Sequence, residues 1–370
     1  MIKFFFLLLL FTGTLSSLIA QPSNVVGTYS IVGWDSVTGD LGIAVQSKFL
    51  AVGAVVPYAK AGVGAVATQA FANTTFGPKG LSFLETGLSA QEVISLLLAG
   101  DSAISERQIG IVDAHGNAFA HTGSKCMNYA GQITGKGYTA QGNILAGREV
   151  VEGMARAFEN TNGDLAERLL SALEAGERAG GDKRGRQSAA LLVVREKGGY
   201  AGMNDRFIDI RVDDDSLPLV QLRRLYNLWQ VTFLFEARFR TIAEFEKQKK
   251  FIAADVERKR VTEQFNAQLR SRPDDPQLLN QIAWFLATNN IDKVQALEIA
   301  KRAARLAPAD LNILDTLAEC HYQLQHYDEA IAIGSELVMK DASNDTYWNQ
   351  LKKFRDAKQQ NGNPQGSGNR

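Results

Sequence analysis

The sequence predicts an α+β domain in which two β-sheets pack face to face between layers of helices, a four-layer αββα sandwich, followed by an all-α segment of paired helices. Three observations carry this. Before about residue 220, Gly is dense, β-branched residues abound and short apolar runs are punctuated by turns; after it Gly nearly vanishes and Ala, Leu, Glu, Lys and Gln recur at helical spacing. The elements of the first part come in the order strands, helix, strands, helices, strands, which suits stacked sheets better than an alternating parallel fold. In the second part, Ala296 and Ala330 stand 34 residues apart (330 less 296) in similar surroundings, a repeat of helix pairs.

Taken in order, the first twenty residues read as a leader. Lys3 gives a positive start, Phe4 to Phe11 an apolar core and Ser16 to Ala20 a small-residue exit, the layout of a secretory signal peptide cut after Ala20. Its apolar run is short for a membrane span, and no later stretch is long and apolar enough to cross a bilayer. Residues 21–27 follow as a short propeptide or linker. Export is the expected localisation, periplasmic or secreted.

A first domain is expected over residues 28–218. Thr28–Trp34 and Leu41–Ser47 flank the turn-rich Asp35-Ser36-Val37-Thr38-Gly39-Asp40 and predict a hairpin. Further strands are expected at 51–57 and 63–69. Ser89 with Glu92 three residues on is a capping box and Gly100 a stop, so one helix lies between them. Strands at 108–112 and 118–122 pair across Ala114-His115-Gly116-Asn117, and another follows at 138–142. Helices are expected at 148–159 and 164–177, the second capped by Asp164 and Glu167. Strands at 189–195 and 207–212 close the domain.

Residues 219–270 have neither Pro nor Gly and predict one or two connecting helices. Ser271-Arg272-Pro273-Asp274-Asp275-Pro276 is a linker. Beyond it, over 276–354, Asp292-Lys293-Val294-Gln295-Ala296 and Tyr327-Asp328-Glu329-Ala330 hold small residues where paired helices would touch, Trp284 and Glu319 occupy like positions, and Pro308 ends a unit. This resembles the tetratricopeptide pattern over fewer than three units, so the module is expected to lean on the preceding helices and to dock a protein partner. The Gln-, Asn-, Gly- and Ser-rich tail at 359–370 is expected to be disordered.

Composition excludes some classes. Forty basic and forty acidic residues give no net charge in 370 residues, against a broad nucleic-acid surface. Cys126 and Cys320 are too few for a disulfide scaffold and read as unrelated thiols. Asp113, His115 and His121 invite a metal but fit turn chemistry better. Gly131-Gln132-Ile133-Thr134-Gly135-Lys136-Gly137 lacks the helix that a phosphate cradle needs. Neither a cofactor nor a metal is expected.

The residues that could carry chemistry begin at Gly27-Thr28. A Thr after a scissile Gly, heading a strand, is where an N-terminal-nucleophile hydrolase places its hydroxyl; freed, its α-amine would act as the base. Gly-Thr also commonly just opens a strand. The run Ser47-Lys48-Phe49-Leu50-Ala51-Val52-Gly53-Ala54-Val55-Val56-Pro57, its continuation Ala61-Gly62-Val63-Gly64-Ala65-Val66-Ala67-Thr68-Gln69-Ala70, then Gln141-Gly142-Asn143 and Gly180-Gly181-Asp182-Lys183-Arg184-Gly185-Arg186-Gln187-Ser188-Ala189-Ala190 resemble domain-of-unknown-function family 1028, over residues 27–225. That family is classed with the N-terminal-nucleophile hydrolases, which implies the sandwich fold and a Thr nucleophile. Many relatives begin Met-Thr-Phe-Ser-Ile, whereas here Gly27-Thr28-Tyr29-Ser30-Ile31 lies behind a leader, so a second cut is implied.

A cation near the nucleophile would lower the amine's pKa and stabilise negative charge. Proteasome-like enzymes of the superfamily carry a lysine at a spacing similar to that of Lys60, which the resemblance makes the first candidate, with Lys48 the second; either also fits a solvated strand end. The acidic partner of those enzymes has no match, the stretch reading Val45-Gln46-Ser47. Gln69, Asn73 and Asn143 sit at strand ends and could donate to an oxyanion or cap turns. Asp182, Arg184, Gln187 and Ser188 form a polar patch before a strand, a pocket lining or a helix-stop loop, and Asp182 could orient the Thr28 amine. Two functions stay open: an exported amidohydrolase or peptidase acting on a small amide or peptide, or a non-catalytic ligand-binding member of the same fold whose repeats assemble proteins at the cell envelope. Self-association into a homo-oligomer is allowed by either.

Overall fold

The computed structural model describes residues 27–362. The leader at 1–20, residues 21–26 and residues 363–370 of the expected tail lie outside the described residues. The described chain divides into two compact units that are not consecutive stretches: residues 27–194 with 208–225, and residues 195–207 with 226–362. A mixed sheet-and-helix N-terminal domain is thus followed by a helical, tetratricopeptide-like C-terminal region.

Ten strands occur in chain order: β1 Thr28–Trp34, β2 Leu41–Ser47, β3 Pro57–Lys60, β4 Gly64–Ala70, β5 Arg107–Asp113, β6 Ala118–Thr122, β7 Gly131–Gly135, β8 Tyr138–Asn143, β9 Ser188–Val194 and β10 Arg206–Val212. They form a six-stranded sheet, β10-β9-β2-β1-β8-β7, and a four-stranded one, β3-β4-β5-β6. Four helices cover the outer faces. α1 (Phe76–Glu85) and α2 (Ala90–Ala99) lie on the smaller sheet, α3 (Glu149–Asn160) and α4 (Leu165–Arg178) on the larger.

β1 shows how the sequence builds this. Side chains alternate across a strand, so Thr28, Ser30 and Val32 face the second sheet while Tyr29, Ile31 and Gly33 face α3 and α4. Both faces are covered, and six of its seven residues are buried. Between the sheets Val32, Leu41, Ile43, Val45, Ala67 and Val112 belong to one apolar cluster. Toward the Thr28 end that core becomes polar, with Ser30, Gln69, Gln108, Gln141 and Asn143 fully buried. The capping box of α2 forms as the sequence predicts, and Asp164 accepts from the Glu167 N–H at 2.8 Å to start α4.

Several elements differ from expectation. Residues 51–57 are not a strand: Val52–Ala54 is a short 3-10 turn, entered through Ala51 at φ 53°, and the strand starts only at Pro57. The cause is Ser188, whose hydroxyl donates to the Phe49 carbonyl and accepts from the Val52 N–H, folding that loop onto the sheet. Residues 131–135 are a strand hairpinned to β8. Helix α1 was hidden by Gly77, Pro78 and Gly80. Gly77 is required by packing, since a Cβ there would stand 2.2 Å from the Tyr58 ring. Residues 359–362 continue the last helix instead of opening a tail.

The helical region runs through α5 (Pro218–Val231), α6 (Phe233–Lys247) and α7 (Phe251–Ser271), three helices where one or two were expected. Then come α8 (Pro276–Thr288), α9 (Lys293–Leu306), α10 (Leu311–Gln323), α11 (Tyr327–Lys340) and α12 (Asp345–Gly362). Asp275, Asp292 and Asp310 cap α8, α9 and α10. Ala296, Ala300 and Ala330 are buried where the paired helices meet. Within this unit the buried Glu257 is bonded by Arg195, Arg238 and Arg260. Among the described residues no helix is long and apolar enough to cross a membrane.

Candidate active site

Thr28 opens β1 between two neighbours fixed by register: Ser47 on β2 and Asn143 on β8. All three side chains point between the sheets and are fully buried. The Thr28 hydroxyl donates to Ser47 Oγ at 3.2 Å. Ser47 in turn donates a short hydrogen bond to the carbonyl oxygen of Gly27. The same oxygen accepts from Arg184 Nη2 at 2.7 Å.

Arg184 is held in place by Asp182, which grips Nε at 3.1 Å and Nη2 at 2.8 Å. The Asp182 carboxylate also accepts the backbone N–H groups of Arg184 and Lys48, at 2.9 and 3.0 Å. A side chain at position 27 would force its neighbours to move: an ideal Cβ lies 2.4 Å from Arg184 Nη2 and 2.8 Å from Ile144 Cδ1. The backbone carbonyl before Thr28 therefore sits under a guanidinium and a hydroxyl, an arrangement that stabilises negative charge on that oxygen.

Behind Thr28 the buried amides form a network. Gln69 donates to the Thr28 carbonyl at 3.3 Å and to Gln108 at 2.8 Å, and it accepts from Ser30 at 2.6 Å. Asn143 donates to Gln108 at 2.9 Å, while its own carbonyl oxygen is buried without a partner. These amides fix the start of β1 against the second sheet; Asn143 and Gln69 do not point donors at Gly27. Tyr29, on the opposite face, donates to Glu177 at 2.7 Å. Burial first, and then the Glu177 charge, hold its phenol well above the usual value, so it stays a neutral donor.

A cleft of about 470 Å³ opens beside this group, lined by Lys48, Gly185, Arg186, Gln187, Asp214 and Asp215. Lys48 and Gly185 are the chain neighbours of Ser47 and Arg184. Gln187 donates its N–H to the Ser47 carbonyl at 3.0 Å and its amide to Asp214 at 3.1 Å. Ser188, paired with Ser47 in register, spends its hydroxyl on the Phe49–Val52 turn.

The structure thus gathers Thr28, Lys48, Gln69, Asn143, Asp182, Arg184, Gln187 and Ser188 around one strand end. Two sequence candidates lie elsewhere. Lys60 pairs with Gly64, five residues along β4 from Gln69, which is about 17 Å at the rise of a strand. Its ammonium is paired with Glu85. Lys60 does close the third strand, but that strand is the edge of the smaller sheet and does not pair with β1. Asn73 bonds Asp101 at 2.9 Å and caps Thr75, so it shapes the start of α1. With Gly27 joined to Thr28, Asp182 is bonded to Arg184 and to the Lys48 N–H. Asp113 accepts from the N–H groups of His115 and Asn117, which is turn chemistry.

Ser47 was not among the sequence candidates, although the hairpin predicted its place: strands 28–34 and 41–47 set residue 28 opposite residue 47. Ser30, Gln108 and Gln141 were missed as well. Their alternation with apolar residues placed them between the sheets, but nothing local shows that they bond one another there.

No curated protein matches the chain. A tetratricopeptide repeat is matched over residues 294–353. Two distant structures score low. The first tetratricopeptide domain of human RPAP3 is 16% identical, at TM-score 0.26, over 35% of this chain and 96% of that one. Anbu (ancestral beta-subunit) from Yersinia bercovieri is 10% identical, at 0.27, over 55% and 95%. A crystal structure of a protein from Silicibacter pomeroyi, assigned to the DUF1028 family, is 31% identical at TM-score 0.50, covering 55% of this chain and 89% of that one. The family of unknown function DUF1028 is itself matched over residues 28–222, more than half of the sequence, so the chain belongs to that family and carries tetratricopeptide repeats behind it.

Proposed function

We propose that this chain is an exported amide hydrolase of the N-terminal-nucleophile type, in which Thr28 attacks a small amide or peptide once the bond before it has been cut. The helix-sheet-sheet-helix layering is read as the fold of that superfamily. The observation that carries the proposal is the Gly27 carbonyl, bonded at once by Arg184 and Ser47 while the Thr28 hydroxyl rests on Ser47. After release, the α-amine would take the proton of the Thr28 hydroxyl. Arg184, no longer occupied by Gly27, would face the oxygen of the bound substrate from the mouth of the cleft. The repeats would hold a protein partner.

Intact-mass analysis of the purified protein should find a chain beginning at Thr28. Hydrolysis of a panel of small p-nitroanilides should vanish in Thr28→Ala and persist in Thr28→Ser. An uncut chain together with an unaffected Thr28→Ala variant removes the proposal. One observation favours the other reading, a ligand-binding member without catalysis: with Gly27 in place the Thr28 side chain is fully buried. In that case a ligand would occupy the cleft beside Lys48 and Gln187, and the chain would stay intact.

A further inference from the structure

We infer that the cleft beside Ser47 takes a zwitterion, an amino acid or short peptide whose carboxylate rests on Lys48 and whose ammonium rests on Asp214 and Asp215. This names the ligand class of the proposed site and rests on the reading of that cleft as the place of substrate or ligand; it does not depend on cutting by Thr28.

The lining carries both signs of charge, Lys48 and Arg186 against Asp214 and Asp215, with the neutral Gly185, Gln187 and Ser216. Arg186 is answered outside the cleft, by Glu177 of α4. The Lys48 ammonium donates to the Arg186 carbonyl oxygen at 3.3 Å and pairs with no carboxylate among the described residues. Asp214 accepts from the Gln187 amide at 3.1 Å, and Asp215 from the Leu217 N–H at 2.7 Å. Among the described residues neither aspartate is joined to a cation. Opposite charges thus line one cleft without neutralising each other.

The fold holds them apart. Lys48 follows β2, Asp214 and Asp215 follow β10, and β9 runs between those strands. Two strand spacings amount to about 10 Å. Gln187, just before β9, ties the two sides: its N–H bonds the Ser47 carbonyl, its own carbonyl accepts the Asp215 N–H at 2.8 Å, and its amide holds Asp214. A hydrogen bond of about 2.8 Å at each end leaves a gap of about 4 Å, the length of one extended residue. The side chains add reach, so one or two residues fit, and a cleft of about 470 Å³ has room for them.

A simple ion suits this lining less well. An anion on Lys48 would face two carboxylates, and a cation on the aspartates would face Lys48 and Arg186; like charges disfavour both. A molecule with both ends satisfies both walls. Lys48 and Asp214 are exposed, so each end contributes modestly and discrimination comes from requiring the two together.

The test uses the full chain carrying Thr28→Ala, titrated at low salt with alanyl-alanine, its N-acetyl form and its C-terminal amide, with binding read by ligand-observed NMR. The dipeptide should bind, and each capped form should bind about fivefold more weakly, the upper value for an exposed ion pair. Lys48→Gln should weaken the dipeptide and the N-acetyl form and leave the amide unchanged. Asp214→Asn combined with Asp215→Asn should weaken the dipeptide and the amide and leave the N-acetyl form unchanged. That crossed pattern assigns each end of the ligand to its wall. Equal binding of all three probes, no binding of the dipeptide, or a loss in the variants that ignores the caps overturns the inference. If the dipeptide fails to bind while the Thr28 chain still hydrolyses uncharged p-nitroanilides, the ligand class falls and the hydrolase reading stands. If the crossed pattern appears in a chain that hydrolyses nothing, the reverse holds.

Discussion

Gly27 is the residue on which the site turns, because its missing side chain is what lets Arg184 reach its carbonyl. An added methyl would lie 2.4 Å from Arg184 Nη2, well inside contact distance. Gly27→Ala should therefore displace the guanidinium and slow appearance of the Thr28 terminus by at least about tenfold, the cost of roughly one weakened charge-assisted bond. Intact mass over time checks this, and unchanged kinetics would mean that Arg184 does not act on that oxygen. The dipeptide Gly27-Thr28 was legible from sequence as a candidate nucleophile. Arg184 reads locally only as part of a polar patch, since it stands 157 positions from Gly27 and meets it only in the fold.

Among the elements, the buried charges of the helical unit decide its pH behaviour. Burial alone would raise the Glu257 carboxyl, but Arg195, Arg238 and Arg260 outweigh it and hold the group well below the usual carboxylate range. A depressed acid contributes stability that is complete above its unfolded value near 4.5 and fades as pH falls toward its folded value. Glu257→Gln should cost about 3–5 kcal/mol at pH 7, because three arginines lose their counter-charge in a buried site. Urea denaturation of the helical signal should show that gap, and show it narrowing below pH 4.5. Asp315 has the opposite sign. Burial, then the Glu319 charge, push its carboxyl up to about 6, so ionising it costs the fold stability as pH rises through that value. Asp315→Asn should melt higher than the wild type at pH 8 and no higher at pH 4. Equal melting at both would show that Asp315 titrates as it does in the unfolded chain. The helices carrying these groups were legible from their spacing. The pairing of Arg195 with Glu257 was not, because Arg195 reads locally as the last residue of a strand.

For the whole molecule, the consequential feature is that the two units interleave in sequence. Residues 195–207, the link from β9 to β10 with the first two residues of β10, belong to the helical unit, where Arg195 bonds Glu257 and stacks over the Phe207 ring at 3.9 Å. A chain ended at Leu225 would keep Arg195 and Phe207 and lose their helical partners. It should bind more of a hydrophobic dye than the full chain and aggregate in gel filtration; a monodisperse, dye-silent fragment would show that the first unit needs none of the second. The sequence by itself determined the change of texture near residue 220, the order of strands and helices, the caps at Ser89 and Asp164, the repeat and the Thr at the head of the first strand, because each follows from spacing within a few residues. Only the tertiary structure decided that Ser47 and Arg184 meet on the Gly27 carbonyl, that Lys60 stands at the far end of its sheet, and that residues 195–207 join the helices. Those outcomes depend on strand register, sheet order and buried charge pairing across long stretches of chain, none of which leaves a local mark.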